Sequence, residues 1–446
     1  MYRHLILILF VTLSLNLLAQ NWSIQLVEYG GAPFQDTSID VDSIGHPHIA
    51  YCFGYATKYA KWNGTSWQIQ LLDSIGITRA TKLCLDQHGN PHIGYLKYLY
   101  NHPAGQTCFQ ILYTFWNGIS WHTELVDSFY VSAQSGPYLY ERSLDFTLSH
   151  NGIPYLTYPF INLNDSIWEV RCTYRDTDSW RITSISQQPL SRPTYQPRIA
   201  LDSTGHPHII FDDRYRSKLY YAYFDADTWT ITQVDSSLII IIPYSIEIDE
   251  SNKIHIAYQS GLDAFYAVLQ DTVWHIELAG SNGLSLAFGD FVFHNGPHIV
   301  NSATFASPAY FYKDIIWHEE LIDNDGGFYL SIAVDRFGGK HVSYGGSGLL
   351  YARRIVSGVE EHEITTLSAD NNFEVYPNPA KGFFTIRLPQ TADRSQIKIF
   401  DVAGKMVREV RVKTQEARVS LERIKNGVYF VQVGDKSEIK KLVIIK

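Results

Sequence analysis

The stretch Asp42-Ser-Ile-Gly-His-Pro-His-Ile-Ala-Tyr51 decides the fold, because closely related stretches recur along the chain. Asp86 to Tyr95 and Asp202 to Phe211 keep its Asp-x-x-Gly-x-Pro-His spacing, and weaker copies run from Asp249 to Tyr258 and from Asp335 to Tyr344. The Asp-x-x-Gly segment predicts a tight turn between two strands, since glycine tolerates positive φ and aspartate bonds the turn backbone.

The second half of the repeat is a tyrosine followed about eight residues later by a tryptophan and alternating apolar residues. The pairs are Tyr59 with Trp67, Tyr113 with Trp121, Tyr221 with Trp229, and Tyr266 with Trp274. Asn-Gly pairs such as Asn63-Gly64 predict the turn from the third strand to the fourth. Each repeat therefore predicts four short strands, and such units, spaced by about 45–55 residues, are typical of β-propeller blades.

The two ends of the repeat region predict a closed ring. The segment from Trp22 to Val27 has the pattern of a fourth strand, whereas the last repeat supplies only three strands, up to Arg354. We therefore expect the N-terminal strand to complete the last blade and remove an exposed edge. Counting fourth-strand tryptophans predicts seven blades over residues 21–354, with six or eight as alternatives: Trp22, Trp67, Trp121, Trp180, Trp229, Trp274 and Trp317.

The N-terminus and the charge distribution indicate export and exclude some partners. Met1–Gln20 has a polar start, an apolar run over Leu5–Leu18 and a small residue, Ala19, which together predict a signal peptide. No later stretch predicts a transmembrane segment in the mature chain. Up to residue 369 the chain has 21 Lys and Arg against 36 Asp and Glu. This acidic balance argues against a nucleic-acid partner.

After Arg354 the repeat stops, and residues 355–372 form a predicted polar, acidic linker. The remainder, residues 373–446, contains Phe373-Glu-Val-Tyr-Pro-Asn-Pro379, then Gly382 and an apolar strand. Next come Ile397-Lys-Ile-Phe-Asp-Val-Ala-Gly-Lys-Met-Val407, Asn426-Gly-Val-Tyr-Phe-Val431 and a final Lys440-Lys-Leu-Val-Ile-Ile-Lys446. Its short alternating strands predict a small antiparallel β-sandwich.

This ordered set of motifs resembles the type A C-terminal sorting domain of the type IX secretion system of Bacteroidetes. The resemblance implies recognition by the secretion machinery at the outer membrane, often removal of the domain, and attachment or release of the cargo. An ordinary carbohydrate-binding-like sandwich is the alternative interpretation.

Residues that recur in every blade are interpreted as structural. The repeated histidines suggest a metal ring, but each occupies the same place in its repeat, so we predict an Asp–His hydrogen bond within each hairpin and no metal or other cofactor: His48, His92, His208, His255, His298 and His341. The fourth-strand tryptophans are likewise predicted to pack between blades. Cys52, Cys84, Cys108 and Cys172 fit no zinc pattern, and their spacing leaves free thiols and disulfides both open.

Long connections on one face favour a functional surface there. The second-to-third loops and the interblade connections are predicted to be longest around blades two to four, and long loops on a rigid scaffold commonly carry function. Their aromatic and charged residues match the needs of a sugar site, namely ring stacking and charged hydrogen bonds. These candidate ligand-binding residues are Tyr100, His102, Tyr138, Tyr140, Trp168, Tyr195, Asp212, Asp213, Arg214 and Tyr215.

Three functions are compatible with this pattern. The first is a non-catalytic propeller that binds glycans or another surface ligand, and the second is a glycan-degrading hydrolase or lyase with its site on the same face. An adhesion or matrix protein without a small ligand is the third. Asp212 and Asp213 form a poor acid–base pair, because adjacent residues on an extended chain point apart.

Overall fold

The computed structural model describes residues 21–30, 34–100, 105–132, 143–162, 167–185, 196–213, 216–225, 227–236, 241–281, 289–302, 307–324, 327–354, 374–387, 396–401, 405–411, 416–422, 424–433 and 439–445. All regular secondary structure in these ranges is β-strand. The chain divides into two compact units, residues 1–359 and 360–446. The predicted signal peptide and the predicted linker lie outside the described residues.

The N-terminal unit consists of four-stranded antiparallel sheets, of which the described residues contain seven, numbered here along the chain. Sheet 1 comprises β2 (Phe34–Val41), β3 (Pro47–Phe53), β4 (Ala56–Trp62) and β5 (Trp67–Asp73); sheet 2 comprises β6 (Ile77–Leu85), β7 (Pro91–Leu99), β8 (Gln106–Trp116) and β9 (Trp121–Ser132). Sheet 3 comprises β10 (Asp145–Leu148), β11 (Pro154–Asn162), β12 (Ile167–Asp176) and β13 (Ser179–Ser184); sheet 4 comprises β14 (Arg198–Leu201), β15 (Pro207–Asp213), β16 (Lys218–Asp225) and β17 (Thr228–Ser236).

Sheets 5 and 6 consist of consecutive strands, whereas sheet 7 combines strands from the two ends of the unit. Sheet 5 comprises β18 (Ile241–Ile248), β19 (Ile254–Ser260), β20 (Asp263–Gln270) and β21 (Val273–Ser281); sheet 6 comprises β22 (Asp290–Phe293), β23 (Pro297–Asn301), β24 (Ala309–Lys313) and β25 (Trp317–Leu321). Sheet 7 comprises β26 (Phe328–Val334), β27 (Lys340–Gly345), β28 (Gly348–Arg354) and β1 (Trp22–Tyr29). β1 pairs antiparallel with β28, with Trp22 opposite Arg354, which confirms the predicted N-terminal closing strand.

The repeated turn has the predicted chemistry. In sheet 1 the Asp42 Oδ1 accepts hydrogen bonds from the backbone N–H groups of Ile44 (3.0 Å) and His46 (2.9 Å). Gly45 lies at φ +89°, a conformation that L side chains rarely adopt. This turn directs the second strand back along the first and sets the register on which the rest of each sheet depends.

The first strands of the sheets surround a common axis. β2 contacts both β6 and β26, and the remaining first strands contact their neighbours in chain order, which closes the circle. Each junction between neighbouring sheets has its own buried apolar cluster, so the seven clusters also follow one another around the axis. The arrangement is propeller-like, and burial between sheets supplies its main stabilisation.

The C-terminal unit is a separate sheet system around one apolar cluster, which includes Phe384, Ile399, Val431 and Leu442. Its strands are β29 (Glu374–Lys381), β30 (Phe383–Arg387), β31 (Gln396–Asp401), β32 (Met406–Arg411), β33 (Glu416–Ser420), β34 (Gly427–Val433) and β35 (Ile439–Ile444). They are ordered β32-β31-β34-β35-β29-β30-β33. The prediction of an antiparallel sandwich needs one correction, because β29 and β35 run parallel where Ala380 pairs with Ile444.

Candidate functional site

The repeated histidines build the sheets. Each of the six forms a hydrogen bond between its Nδ1 and the hydroxyl of a third-strand tyrosine, at 2.5–2.7 Å: His48–Tyr59, His92–Tyr113, His208–Tyr221, His255–Tyr266, His298–Tyr310 and His341–Tyr351. The predicted Asp–His bond is not formed in every hairpin: the Nε2 atoms of His48, His92 and His208 lie 3.5–3.7 Å from the aspartate oxygen. The His298 Nε2 instead bonds the backbone oxygen of His294 at 3.0 Å. The prediction is confirmed for His255 with Asp249 (3.2 Å) and His341 with Asp335 (3.1 Å). Because Nε2 donates to aspartate, Nδ1 accepts from the tyrosine O–H. Among the described residues, no group of three or more His, Cys, Asp or Glu is placed to hold a metal.

The fourth-strand tryptophans extend this network across the junctions. At six junctions a tryptophan packs edge-on against the His-bonded tyrosine of the preceding sheet, with ring centroids 5.3–5.8 Å apart: Trp22–Tyr310, Trp67–Tyr351, Trp121–Tyr59, Trp180–Tyr113, Trp274–Tyr221 and Trp317–Tyr266. Edge-to-face contact of this kind adds to the burial energy of the rings. The predicted packing role of these tryptophans is therefore confirmed.

In sheet 3 other residues occupy all three positions of the Asp–His–Tyr network. Ser149 stands at the aspartate position, Tyr155 at the histidine position and Cys172 at the tyrosine position. The Ser149 Oγ accepts the Ile153 N–H at 3.0 Å, and Cys172 and Tyr155 belong to the apolar cluster shared with sheet 4. None of the four cysteines forms a disulfide in the structure, whereas their spacing left both possibilities open.

Burial of the histidines predicts a stability loss in acid. Burial lowers the pKa of His48 and of His298 to about 4, from an ordinary value of 6.5. Between pH 6.5 and 4 the unfolded chain therefore binds more protons than the folded one. As a result, the free energy of unfolding decreases as the pH is lowered. At 1.36 kcal/mol per pKa unit, each of these two residues contributes a loss of about 3 kcal/mol.

Urea unfolding at pH 7 and pH 5 would measure the first part of this loss, about 2 kcal/mol for each of the two residues. All ten tryptophans lie between residues 22 and 317, so tryptophan fluorescence reports only on the N-terminal unit. Replacing His48 with glutamine should lower stability at pH 7 and flatten its pH dependence. Equal stability of the parent protein at both pH values would contradict the assignment.

Polar side chains of the first strands join neighbouring sheets close to the axis. Asp36, Ser38 and Asp40 of β2 accept the backbone N–H groups of Thr81, Leu83 and Leu85 of β6, at 3.0, 3.0 and 2.8 Å. Asp145 accepts the Ile199 N–H, and Asp290 accepts the Ile332 N–H, at 2.9 and 3.2 Å. The radial arrangement of the sheets does not allow backbone–backbone pairing between first strands of neighbouring sheets. Hydrogen bonds from backbone N–H groups to side chains join these strands instead.

One lysine connects three sheets across the axis. The Lys82 Nζ of sheet 2 lies 3.8 Å from Asp145 Oδ1 of sheet 3 and 3.9 Å from Asp290 Oδ1 of sheet 6. All three side chains are nearly buried. Because sheets 2 and 6 are not neighbours, the ammonium group lies inside the ring of first strands and obstructs the axis at this level.

Two further carboxyl groups, Asp40 and Glu247, lie on the first strands of sheets 1 and 5, closer to the turn that follows the first strand. Burial raises the pKa of Glu247 to about 8, and the charges of Asp290 and Asp145 act in the same direction. Burial also raises the pKa of Asp40 to about 6, against the effect of its two backbone hydrogen bonds. Carboxyl groups with separated pKa values are what acid–base chemistry requires.

Sequence reasoning missed this axial cluster, which consists of Asp40, Lys82, Asp145, Glu247 and Asp290. The sequence predictions rest on residues that recur from blade to blade, and the members of this cluster do not recur in every blade. A signal was present: Lys82, Asp145 and Asp290 occupy one repeat position, and Asp40 and Glu247 occupy the position two residues later.

In the described part of the chain, the ends of several long connections predicted on one face are strand extensions. β8 and β9 have 11 and 12 residues, against 5 each for β24 and β25 of sheet 6. Regular pairing continues to Leu99 opposite Cys108, and from Pro159 to Asn162 in sheet 3. Phe109 and Phe129 of the extended strands belong to the apolar cluster between sheets 2 and 3, which keeps this hairpin paired where a loop was expected.

Aromatic packing supports these extensions between sheets 2 and 3. Phe109 stacks on Phe129 with ring centroids 5.3 Å apart, and Phe129 contacts the edge of Phe160 at 5.2 Å. The Arg171 guanidinium lies 3.1 Å from the centroid of Phe160 and 2.7 Å from Asp127 Oδ2. The projecting part of the two sheets is therefore a rigid, well-supported surface.

The candidate ligand-binding residues have different surroundings. The Tyr100 side chain is exposed (51%) and contacts Tyr98 edge-on, with centroids 5.0 Å apart. Trp168 lies in β12 opposite Ile161, and its side chain is outside the described part of the chain. His102, Tyr138, Tyr140, Tyr195, Arg214 and Tyr215 also lie outside the described residues.

Asp212 and Asp213 are both fully buried at the end of β15. They pair with Leu219 and Lys218 of β16, so their side chains point to opposite faces of sheet 4. The Asp213 Oδ1 accepts the Arg216 N–H at 3.1 Å, which fixes the connection to β16. The structure does not bring the two carboxylates together.

The comparisons with known proteins identify the C-terminal unit. Residues 374–446 match the family described as the secretion system C-terminal sorting domain. The unit is a type IX secretion sorting domain, and the protein is exported by this route to the cell surface or outside. Within the described residues, no helix has the length and apolar character needed to cross a bilayer.

Similarity to individual proteins is limited in length or in degree. Beta-agarase A of Zobellia galactanivorans is 34% identical over 70 residues, which make up 16% of this chain and only 13% of that relative. Virginiamycin B lyase of Staphylococcus aureus, solved as an inactive variant with quinupristin, aligns with a TM-score of 0.49 at 11% identity, covering 75% of this chain and 100% of that chain. PorZ of Porphyromonas gingivalis, a surface component of the type IX secretion system, aligns with a TM-score of 0.45 at 13% identity, covering 94% of this chain and 60% of that chain. Likeness of this degree assigns no function.

Proposed function

We propose that the N-terminal unit is a seven-bladed β-propeller and that this exported protein is a non-catalytic module that binds glycans or another surface ligand. The observation that carries the proposal is the projection of sheets 2 and 3 beyond the other sheets, on an aromatic foundation, with Tyr100 exposed on it. Tyrosine rings stack on the apolar faces of sugars and offer a hydroxyl to their polar edges.

The connections that flank this surface supply the other candidates. The proposal places His102, Tyr138, Tyr140, Trp168, Tyr195, Arg214 and Tyr215 around the ligand. Asp212 and Asp213 contribute indirectly, because both are buried and Asp213 fixes the turn that carries Arg214 and Tyr215.

A glycan array and a polysaccharide pull-down with the purified protein test the proposal, scored for retention and for released product. We expect retention without product. Replacing Tyr100 with alanine should weaken retention about tenfold, since an aromatic contact contributes up to about 1.5 kcal/mol.

Tyr130 provides a matched control for this substitution. Its side chain is similarly exposed (45%). Tyr130 pairs with Cys108, which pairs in turn with Leu99, so these three residues lie on the opposite face of sheet 2 from Tyr100. Tyr130→Ala should leave retention unchanged. Equal effects of the two substitutions, or no effect of Tyr100→Ala, would contradict the proposal that this surface binds the ligand.

The axial cluster favours a second function, a glycan-degrading hydrolase or lyase. Glu247, with its pKa raised to about 8, would act as a general acid at neutral pH. In this case the purified protein releases product from a polysaccharide, and Glu247→Gln abolishes release while retention persists. Retention without product from the parent protein excludes this function for the substrates tested.

A further inference from the structure

The strands β29 and β35 of the sorting domain are joined only near their C-terminal ends. They run parallel, and within the described part of the chain they form a single residue pair, Ala380 with Ile444. The Ile445 N–H donates to the Ala380 carbonyl oxygen at 3.0 Å, and the Val443 N–H donates to Asn378 Oδ1 at 2.8 Å. Towards their first residues the two strands are not paired with each other, which leaves a cleft between them.

A cavity of about 530 Å³ lies in this cleft. It is lined by Val375 and Tyr376 of β29, Arg387 of β30 and Lys440 of β35. The Tyr376 hydroxyl donates to Glu416 Oε1 at 2.7 Å and accepts from Arg387 Nη2 at 3.2 Å, so both side chains have a defined orientation. Ligand sites commonly have volumes of about 300–1,000 Å³, and the cavity falls within this range.

One wall of the cleft is the edge of β35. Lys440 and Leu442 pair with β34, whereas the Val443 N–H points to the opposite edge, towards β29. Because backbone groups alternate between the two edges of a strand, Ile439 and Lys441 present their N–H and C=O groups on the same edge as Val443. An unpaired strand edge of this kind accepts an additional strand.

The charge of the unit favours an acidic partner. Residues 374–446 contain 15 Lys and Arg against 8 Asp and Glu, and Arg387 and Lys440 place two of these cations at the cavity. Complementary charge guides a partner to such a surface and fixes its register. An acidic polysaccharide would match the charges as well, but it lacks the backbone amides that pair with a strand edge.

We propose that this cleft binds an acidic peptide segment of a partner protein in extended conformation. The segment adds as a strand beside β35, and its carboxylates contact Lys440 and Arg387. A sorting domain interacts with the type IX secretion machinery, so the export route is where such a partner is expected. This inference goes beyond the proposed function and is independent of it, because it concerns the C-terminal unit alone.

Binding is tested with the full-length purified protein and fluorescently labelled octapeptides, by fluorescence anisotropy. The first probe alternates glutamate with threonine, which is a good strand former. The second alternates lysine with threonine, and the third alternates glutamate with proline, which has no N–H to donate to a strand. We expect the first probe to bind and the other two to bind about tenfold more weakly. Equal binding of the proline probe, or equally effective competition by polygalacturonate, would overturn strand addition in favour of simple charge attraction.

Lys440→Glu reverses a charge at the cavity and should weaken binding of the glutamate–threonine probe about tenfold. Lys425→Glu is the matched control, because Lys425 is exposed and precedes β34, whose Gly427 pairs with Ile444 at the far end of β35. It changes the net charge by the same amount and should leave binding unchanged. Equal effects of the two substitutions would contradict the placement of the peptide in this cleft.

Hydrogen–deuterium exchange of the parent protein gives a second readout that needs no substitution. The glutamate–threonine probe should slow exchange of the Ile439 and Lys441 amides, because strand addition gives both N–H groups an acceptor. Unchanged exchange at these two amides with the probe bound would overturn the inference. Failure of the parent protein to bind the probe would also overturn it, and either result leaves the proposed function of the N-terminal unit intact.

Discussion

Replacing Lys82 with methionine is expected to lower the free energy of unfolding of the N-terminal unit by about 3 kcal/mol, because removing one member of a buried charge cluster leaves the others unpaired. Asp145 and Asp290 would remain nearly buried without the ammonium group that lies 3.8 and 3.9 Å from them. Urea unfolding followed by tryptophan fluorescence at pH 7 measures the change.

A rescue experiment separates charge from packing. In the triple variant Lys82→Met, Asp145→Asn, Asp290→Asn the negative charges are removed, while the amide oxygens can still accept the Ile199 and Ile332 N–H groups. Most of the lost stability should return. If the triple variant is as unstable as the single one, the aliphatic stem of Lys82, not its charge, supports the axis.

Replacing Trp22 with alanine is expected to cost about 4 kcal/mol, within the range for large buried aromatic residues. Trp22 is 2% exposed, packs on Tyr310 of sheet 6 and belongs to the cluster that joins sheets 6 and 7. It is also the first residue of β1, so its loss weakens the strand that closes the ring.

Trp317→Ala is the control for this substitution. Trp317 makes the equivalent contact with Tyr266 at 5.8 Å, but it is only partly buried and lies in a sheet whose four strands are consecutive in the chain. We expect about half the loss for Trp317→Ala. Equal losses would mean that closure by β1 adds nothing beyond ordinary packing.

The repeated structural features of the N-terminal unit could be predicted from the sequence. The Asp-x-x-Gly turn, the histidine and the tryptophan recur because each sheet must solve the same local problem, so their spacing gives strand order, register and the pairing of β1 with β28. The sorting domain was equally readable, because its motifs are contiguous in the chain.

The sequence predicted the candidate site less completely. The sequence predicts long loops at the connections around sheets 2 and 3. The structure extends the strands instead, because Phe109, Phe129 and Phe160 meet across two sheets. Such contacts depend on residues far apart in the chain, and alternation within one strand does not reveal them.

The spacing of residues close together in the sequence therefore determined the all-β class, the four-stranded unit and the C-terminal sorting domain. Only the tertiary structure decided which unrepeated residues meet. Lys82, Asp145 and Asp290 come from three sheets and converge because the first strands surround one axis. Convergence of this kind is a property of the closed ring, and no single repeat contains it.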